Sequence, residues 1–127
     1  MRHCKKFKKL GRKTSHRKSV LINLAKSIIK YKKIITTLTK AKALRQFIEP
    51  ILTKSKKNTT HSRRKVFSYF QSKEVIKELF DKISQKILLR NGGYTRIIRI
   101  GNRRGDNSEI SIIELVDYSK IKNKKNN

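Results

Sequence analysis

The sequence predicts an α+β fold. Apolar residues recur at three- and four-residue spacing in four separate blocks, while three short β-branched runs stand apart from them. The strongest turn signal in the chain, Asn91-Gly92-Gly93, introduces the last two of those runs. At 127 residues there is room for one core, burying roughly two thirds of the unfolded surface. The chain divides into a basic extended arm over 1–14, a single globular domain over 15–118, and a Lys/Asn-rich tail over 119–127 that is expected to be disordered.

In the arm, Phe7 and Leu10 are the only large apolar side chains after Met1, and Gly11 breaks any helix, so the segment has nothing to pack with alone. Thr14 or Ser15 then offers a helix cap, and Val20, Leu21, Leu24, Ile28 and Tyr31 trace one face of a helix over about 15–31. Arg17 and Lys18 fall in its early turns, where the helix dipole is already positive. A bound phosphate would relieve that conflict. Ile34–Leu38 reads as a short strand, and Thr39 as the cap of a second helix with Leu44, Phe47, Ile48, Ile51 and Leu52 on one face. The apolar period continues past Pro50, which predicts a kink near Gln46 rather than a stop.

Residues 60–70 carry Val66, Phe67 and Phe70 on one face of a third helix. Ser72 caps a fourth, built on Val75, Ile76, Leu79, Phe80 and Ile83, with Glu74 suited to its first turn. Tyr94–Ile100 and Ile110–Val116 form a hairpin around a Gly101–Glu109 loop. Alternation from Tyr94 places Tyr94, Ile98 and Ile100 toward the helices, with Thr95 and Arg99 on a charged outer face. No internal repeat is visible.

Charge decides the class of partner. Lys and Arg number 35 against 8 Asp and Glu, a net charge of +27 that would strain a compact fold by self-repulsion. The first acidic residue is Glu49, and sixteen Lys and Arg lie between Arg2 and Arg45. A polyanion is the expected partner. Cys4 is the only cysteine, which excludes an internal disulfide and a cysteine-based zinc framework and fits a reducing, intracellular location. The N-terminus lacks the apolar core of a secretory signal, and no run approaches the roughly 18 apolar residues of a membrane span.

The basic arm is the leading functional candidate, because Lys and Arg that neutralise phosphates release counterions and so supply sequence-independent affinity. Arg2, Arg12 and Arg17 suit bidentate phosphate contacts, Lys5, Lys6, Lys8, Lys9 and Lys13 act as mobile point charges, and His3 and His16 can donate to phosphate or stack on a base. The plain alternative is a solvated charge run. His61, Arg63 and Arg64 form a second cationic cluster at a helix start, for which an exposed helix end is the competing reading. Arg103 and Arg104 sit at a loop tip that can enter an RNA groove or meet a neighbouring protein, while Asp106 and Asn107 shape the turn. Among the aromatics, most of which belong to the core, only Phe7 and Tyr94 stand amid basic residues as base-stacking candidates. The GxxxxGK[ST], GxGxxG, GxSxG and HExxH patterns are absent. His3 beside Cys4 has no orienting acid nearby, so no catalysis, cofactor, metal or small-molecule substrate is expected.

The arm MRHCKKFKKLGRKTSHRK, then TTLTKAKALR and EPILTKSK, then GGYTRIIR and RGDNSEISIIELVD, resembles in order and spacing the L-seventeen family of bacterial large-subunit ribosomal proteins. The similarity runs from residue 1 to about 118. It implies a two-layer α/β domain of about four helices on a small three-stranded mixed sheet. It also implies an arm buried in large-subunit ribosomal RNA and a place among neighbouring large-subunit proteins near the polypeptide exit tunnel. By position, Arg2, His3, Lys5, Lys6, Arg12, Ser15, His16 and Arg17 match the family's RNA-contacting motif, and Lys40, Lys42 and Arg45 its basic second-helix start. Gly92, Gly93, Tyr94, Thr95 and Arg96 match its turn into the hairpin. Two departures stand out: Cys4 replaces a common basic residue, and Thr39 stands where a proline is usual, exchanging a rigid helix start for a side-chain cap.

The expected function is that of a structural constituent of the large ribosomal subunit, binding its RNA through phosphates in the cytoplasm, or in an organellar matrix or stroma if an organelle encodes it. The basic arm is expected to order as RNA surrounds it. A DNA-architectural protein is the alternative, although no helix combines exposed Arg, Asn or Gln in a major-groove pattern. A cationic membrane-surface binder would need a wet apolar face on the first helix.

Overall fold

A computed structural model of the chain describes residues 8–118. The expectations for Arg2, His3, Cys4, Lys5, Lys6 and Phe7, and for the tail over 119–127, lie outside these residues. In chain order the elements are α1 (Thr14–Tyr31), β1 (Lys33–Thr37), α2 (Leu38–Ser55), α3 (Thr60–Phe70), α4 (Lys73–Glu78), a π-helical turn (Leu79–Ile83), α5 (Ser84–Ile87), β2 (Thr95–Asn102), β3 (Glu109–Leu115) and a closing 3₁₀ turn (Val116–Tyr118). Backbone dihedrals stay right-handed helical from α4 through the π turn into α5. The fourth predicted helix is therefore one unbroken stretch with a wide turn in its middle, giving four helical units on a three-stranded sheet.

The sheet order is β1-β3-β2, and both pairings are antiparallel. A mixed sheet would require β1 beside β2. Those two strands do run the same way, but the hairpin return, β3, lies between them and pairs with each.

One core lies between the sheet and the helices. Ala25, Ile28 and Ile29 of α1, Leu44, Ile48 and Leu52 of α2, Val66 and Phe70 of α3, Leu79, Phe80, Ile83 and Ile87 of the fourth unit, and Ile113 and Leu115 of β3 are all buried in it. On α1 the buried row differs from the predicted one, which leaves Tyr31 exposed with Lys30 Nζ 5.4 Å from its ring centroid. Lys32 ends α1 in a left-handed conformation at φ 68°. Its Nζ donates to the Ile29 carbonyl at 2.5 Å and to Glu78 Oε1 at 2.6 Å, closing the helix end and tying it to α4.

Helix starts depart from the predicted caps. Lys13 precedes α1 and Thr37 precedes α2, neither with a side-chain cap bond, so Thr14 and Thr39 lie inside first turns. Leu38, the first residue of α2, is buried where it lines a groove beside the sheet. Among the described residues only α3 shows a capping hydroxyl, Thr59 Oγ1, which accepts from the Ser62 amide at 3.2 Å. α2 continues through Pro50.

Tyr94 is in the core as predicted, but beyond it the hairpin faces are the reverse of those predicted. Tyr94 and Thr95 are consecutive and both buried. The pleat therefore starts at Thr95, and alternation counted from Tyr94 is one residue out of phase. Thr95 pairs with Leu115 and Ile97 with Ile113 on the helix side, while Ile98, Ile112 and Ile35 form a cross-strand row on the open face. Ile35 and Ile98 remain 69% and 42% exposed there. An irregularity between Arg99 and Gly101 shifts the register at Ile100.

Candidate nucleic-acid interface

Six of the eight acidic residues are engaged within the fold. Glu49 accepts from the Tyr94 amide at 3.2 Å, the Thr95 amide at 3.0 Å and the Thr95 hydroxyl at 2.7 Å, fastening α2 to the start of β2. Glu78 pairs with Lys32 at 2.6 Å and Lys82 at 2.8 Å. Arg63 reaches Asp81 at 3.4 Å, Arg90 meets Asp117 through two bonds at 3.1 and 3.0 Å, and Arg96 meets Glu114 at 2.6 Å. Asp106 holds Arg103 at 2.6 Å in the hairpin loop. The hydrogen bonds from Lys32 and then Lys82 hold the Glu78 carboxyl below its usual range, and those from Arg103 and Ser108 do the same for Asp106.

Among the described residues, Glu49 is the one carboxylate that lines the grooves of a largely cationic face. The chain enters it through a turn in which the Arg12 amide donates to the Lys9 carbonyl at 3.1 Å, with Leu10 and Gly11 left-handed at φ 56° and 60°. Arg12 folds back so that Nη1 donates to the Leu10 carbonyl at 2.9 Å, and among the described residues its enclosed Nε meets no acceptor. Lys8, Lys9, Lys13, Ser15 and His16 are exposed, as are Lys42 and Arg45 on α2, while Arg17 and Lys40 are half-buried.

Two grooves open side by side on this face, sharing Lys8, Gln46 and Pro50. The first, about 720 Å³, runs between α2 and the sheet and is lined by Leu38, Lys42, Arg45, Ile97 and Arg99, with Glu49 at its back. The second, about 440 Å³, lies between α1, α2 and α3 and has Arg17, Lys18 and Lys54 around an apolar floor of Leu21, Phe47, Ile51 and Tyr69. Of the arm, α1 and α2 candidates, Lys8, Arg17, Lys42 and Arg45 thus meet at these adjoining grooves. The arrangement can neutralise a run of phosphates, and within 8–118 no group of three His, Cys, Asp or Glu side chains could hold a metal.

The other candidates are dispersed. Tyr94 is 1% exposed and packed in the core, with Lys56 Nζ 4.8 Å from its ring centroid, so the base-stacking expectation is corrected. Its basic sequence neighbours are not its spatial ones. Arg63 is occupied by Asn58 at 2.7 Å, by Asp81 and by the Phe80 ring at 4.9 Å, whereas Arg64 and His61 are exposed. Arg103 helps close the hairpin loop, which Asp106 and Asn107 shape: the Ser108 amide donates to Asp106 at 3.1 Å, and Asn107 is left-handed at φ 54°. Arg104 projects from that loop exposed. Sequence reasoning missed the joint contribution of Phe47, Lys54 and Tyr69. These residues belong to different helices, and only the packing of α3 on α2 brings them together.

Residues 20–116 match the family model described as Ribosomal protein L17. A protein of Amoebophilus asiaticus named large ribosomal subunit protein bL17 is 62% identical over 119 residues, covering 94% of this chain and 61% of the relative. Proteins of the same name from Bacteroides fragilis and Flavobacterium johnsoniae are 60% and 54% identical, covering 94% and 97% of this chain and 74% and 76% of their own lengths. The chain therefore spans less than two thirds of the first relative and about three quarters of the other two. Among the described residues no helix is long and apolar enough to cross a membrane.

Proposed function

The chain belongs to the ribosomal protein L17 family, and from that membership we propose that it is a structural, non-catalytic constituent of the large ribosomal subunit that binds large-subunit ribosomal RNA. The observation that carries the mechanism is the segregation of charge. Acidic side chains brace the fold from within, and the face made by the arm turn, α1 and the first half of α2 is left to phosphates. Lys8, Arg17, Lys42, Arg45 and Arg99 line the grooves of that face, and Lys9, Arg12, Lys13 and Lys40 are proposed to add phosphate contacts beside them. Neutralising several phosphates at once releases their counterions, which provides affinity without base reading.

Contact with neighbouring large-subunit proteins near the exit tunnel is the finer part of the proposal. The exposed isoleucine row on the open sheet face supports a protein neighbour, since apolar side chains in a row gain little from phosphates. Location follows the ribosome, in the cytoplasm or in the interior of an organelle.

Sedimentation at high salt tests the assignment. The full chain should travel with large subunits, and a chain lacking residues 2–13 should stay folded by circular dichroism yet leave that fraction. Normal occupancy by the truncated chain would remove the arm from the mechanism, and absence of the full chain from large subunits would overturn the assignment. Duplex DNA should compete poorly with ribosomal RNA for the free protein.

A further inference from the structure

We propose that the groove between α1, α2 and α3 binds one unpaired RNA nucleotide, its base against the Phe47–Tyr69 pair and its phosphates on Arg17, Lys18 and Lys54. The proposal rests on the ribosomal reading only in taking RNA as the polyanion, and it adds a defined subsite to otherwise sequence-blind phosphate binding.

Three features of the groove point to that occupant. The first is the floor. Phe47 and Tyr69 meet edge to face, with centroids 6.2 Å apart and planes at 89°, so they form a corner in which one ring offers a face and the other an edge. Tyr69 remains 40% exposed and Phe47 is only partly buried, so the protein itself leaves this corner open. The second is the rim. Arg17, Lys18, Lys54 and Lys8 line the groove and no carboxylate does, and Lys54 Nζ already stands 5.7 Å from the Tyr69 centroid. Charge complementarity therefore selects an anion that also carries a flat apolar surface. The third is size: at about 440 Å³ the groove admits a small planar group but not a duplex. In an RNA helix the base faces are stacked and hidden, so the fitting unit is a base turned out of a loop, bulge or end.

An acidic peptide would satisfy the cations but gain nothing from an aromatic corner, and a vesicle surface would not enter the groove. Both predict insensitivity to the rings.

The test uses the full chain and three probes: a ten-nucleotide oligoadenylate, a ten-base-pair RNA duplex and decaglutamate. Tyr69→Leu, which keeps an apolar side chain at a half-exposed position, should weaken oligoadenylate binding roughly five- to a hundredfold, the range for one stacked base. Tyr69→Phe should restore it, and neither substitution should move duplex or decaglutamate affinity by more than about twofold, since phosphate contacts dominate there. Arg17→Gln with Lys54→Gln should weaken all three. Circular dichroism melting confirms that each variant is folded. Unchanged oligoadenylate binding in Tyr69→Leu, or an equal loss on the duplex, overturns the subsite, as does failure of the parent chain to bind oligoadenylate. If the parent chain still travels with large subunits in any of those cases, the subsite alone falls and the ribosomal reading stands.

Discussion

Glu49 shows how single residues divide the labour in this chain. It is the first carboxylate in the sequence, and a reading by charge alone would assign it to relief of the basic surface. Instead it satisfies two backbone amides and a hydroxyl at the start of β2, donors that would be costly to leave unpaired. That role was not legible because its partners lie 45 and 46 residues away. Tyr94 was misread for the same reason. The charge of the basic arm, by contrast, is plain from composition, since like charges without counter-charges call for an external partner wherever the chain places them.

Glu78 carries a residue-scale prediction. Its folded-state pKa is depressed by Lys32 and Lys82. Its contribution to stability is thus fully present above the unfolded value, about 4.3, and is lost as pH falls through the lower folded value. Wild type should melt above Glu78→Gln at neutral pH, and the gap should narrow as pH falls below the unfolded value. A gap that stays constant into strong acid would mean the ion pairs contribute nothing.

Elements were more legible than their faces. Four helical periods and three strands follow from spacing, and α2 runs on through Pro50 as its uninterrupted apolar pattern requires. What spacing could not supply was phase at the hairpin. In a strand a one-residue error inverts every side chain, and Tyr94 reaches the core from just before the strand rather than as part of its alternation. The π turn was likewise invisible, because the apolar positions on either side of it fit an ordinary helix within the tolerance of the pattern. One residue from each hairpin strand tests the corrected phase. Ile113→Ala opens a cavity in the core and should cost about 2–5 kcal/mol in urea unfolding. Ile98→Ala on the open face should cost less than about 1 kcal/mol. Comparable losses would mean that both faces are covered.

At the scale of the whole molecule, the net charge of +27 is a property of position as much as of number. Acidic residues begin only at Glu49; five of them fasten elements to one another, and Asp106 closes the hairpin loop. The cations of the arm turn, α1 and α2 therefore have little within the protein to answer them. Composition points to a polyanion, and the family motifs to ribosomal RNA as the proposed one. Neither could show that arm and helix cations meet across two adjoining grooves, which depends on how α1 packs on α2. On the proposed function, phosphates relieve the self-repulsion of that face. The direct measurement is a titration of the full chain with large-subunit ribosomal RNA at increasing salt. Six to ten neutralised phosphates predict an affinity loss of roughly a thousandfold or more between 50 and 200 mM. An affinity that stays flat across that range would contradict the account.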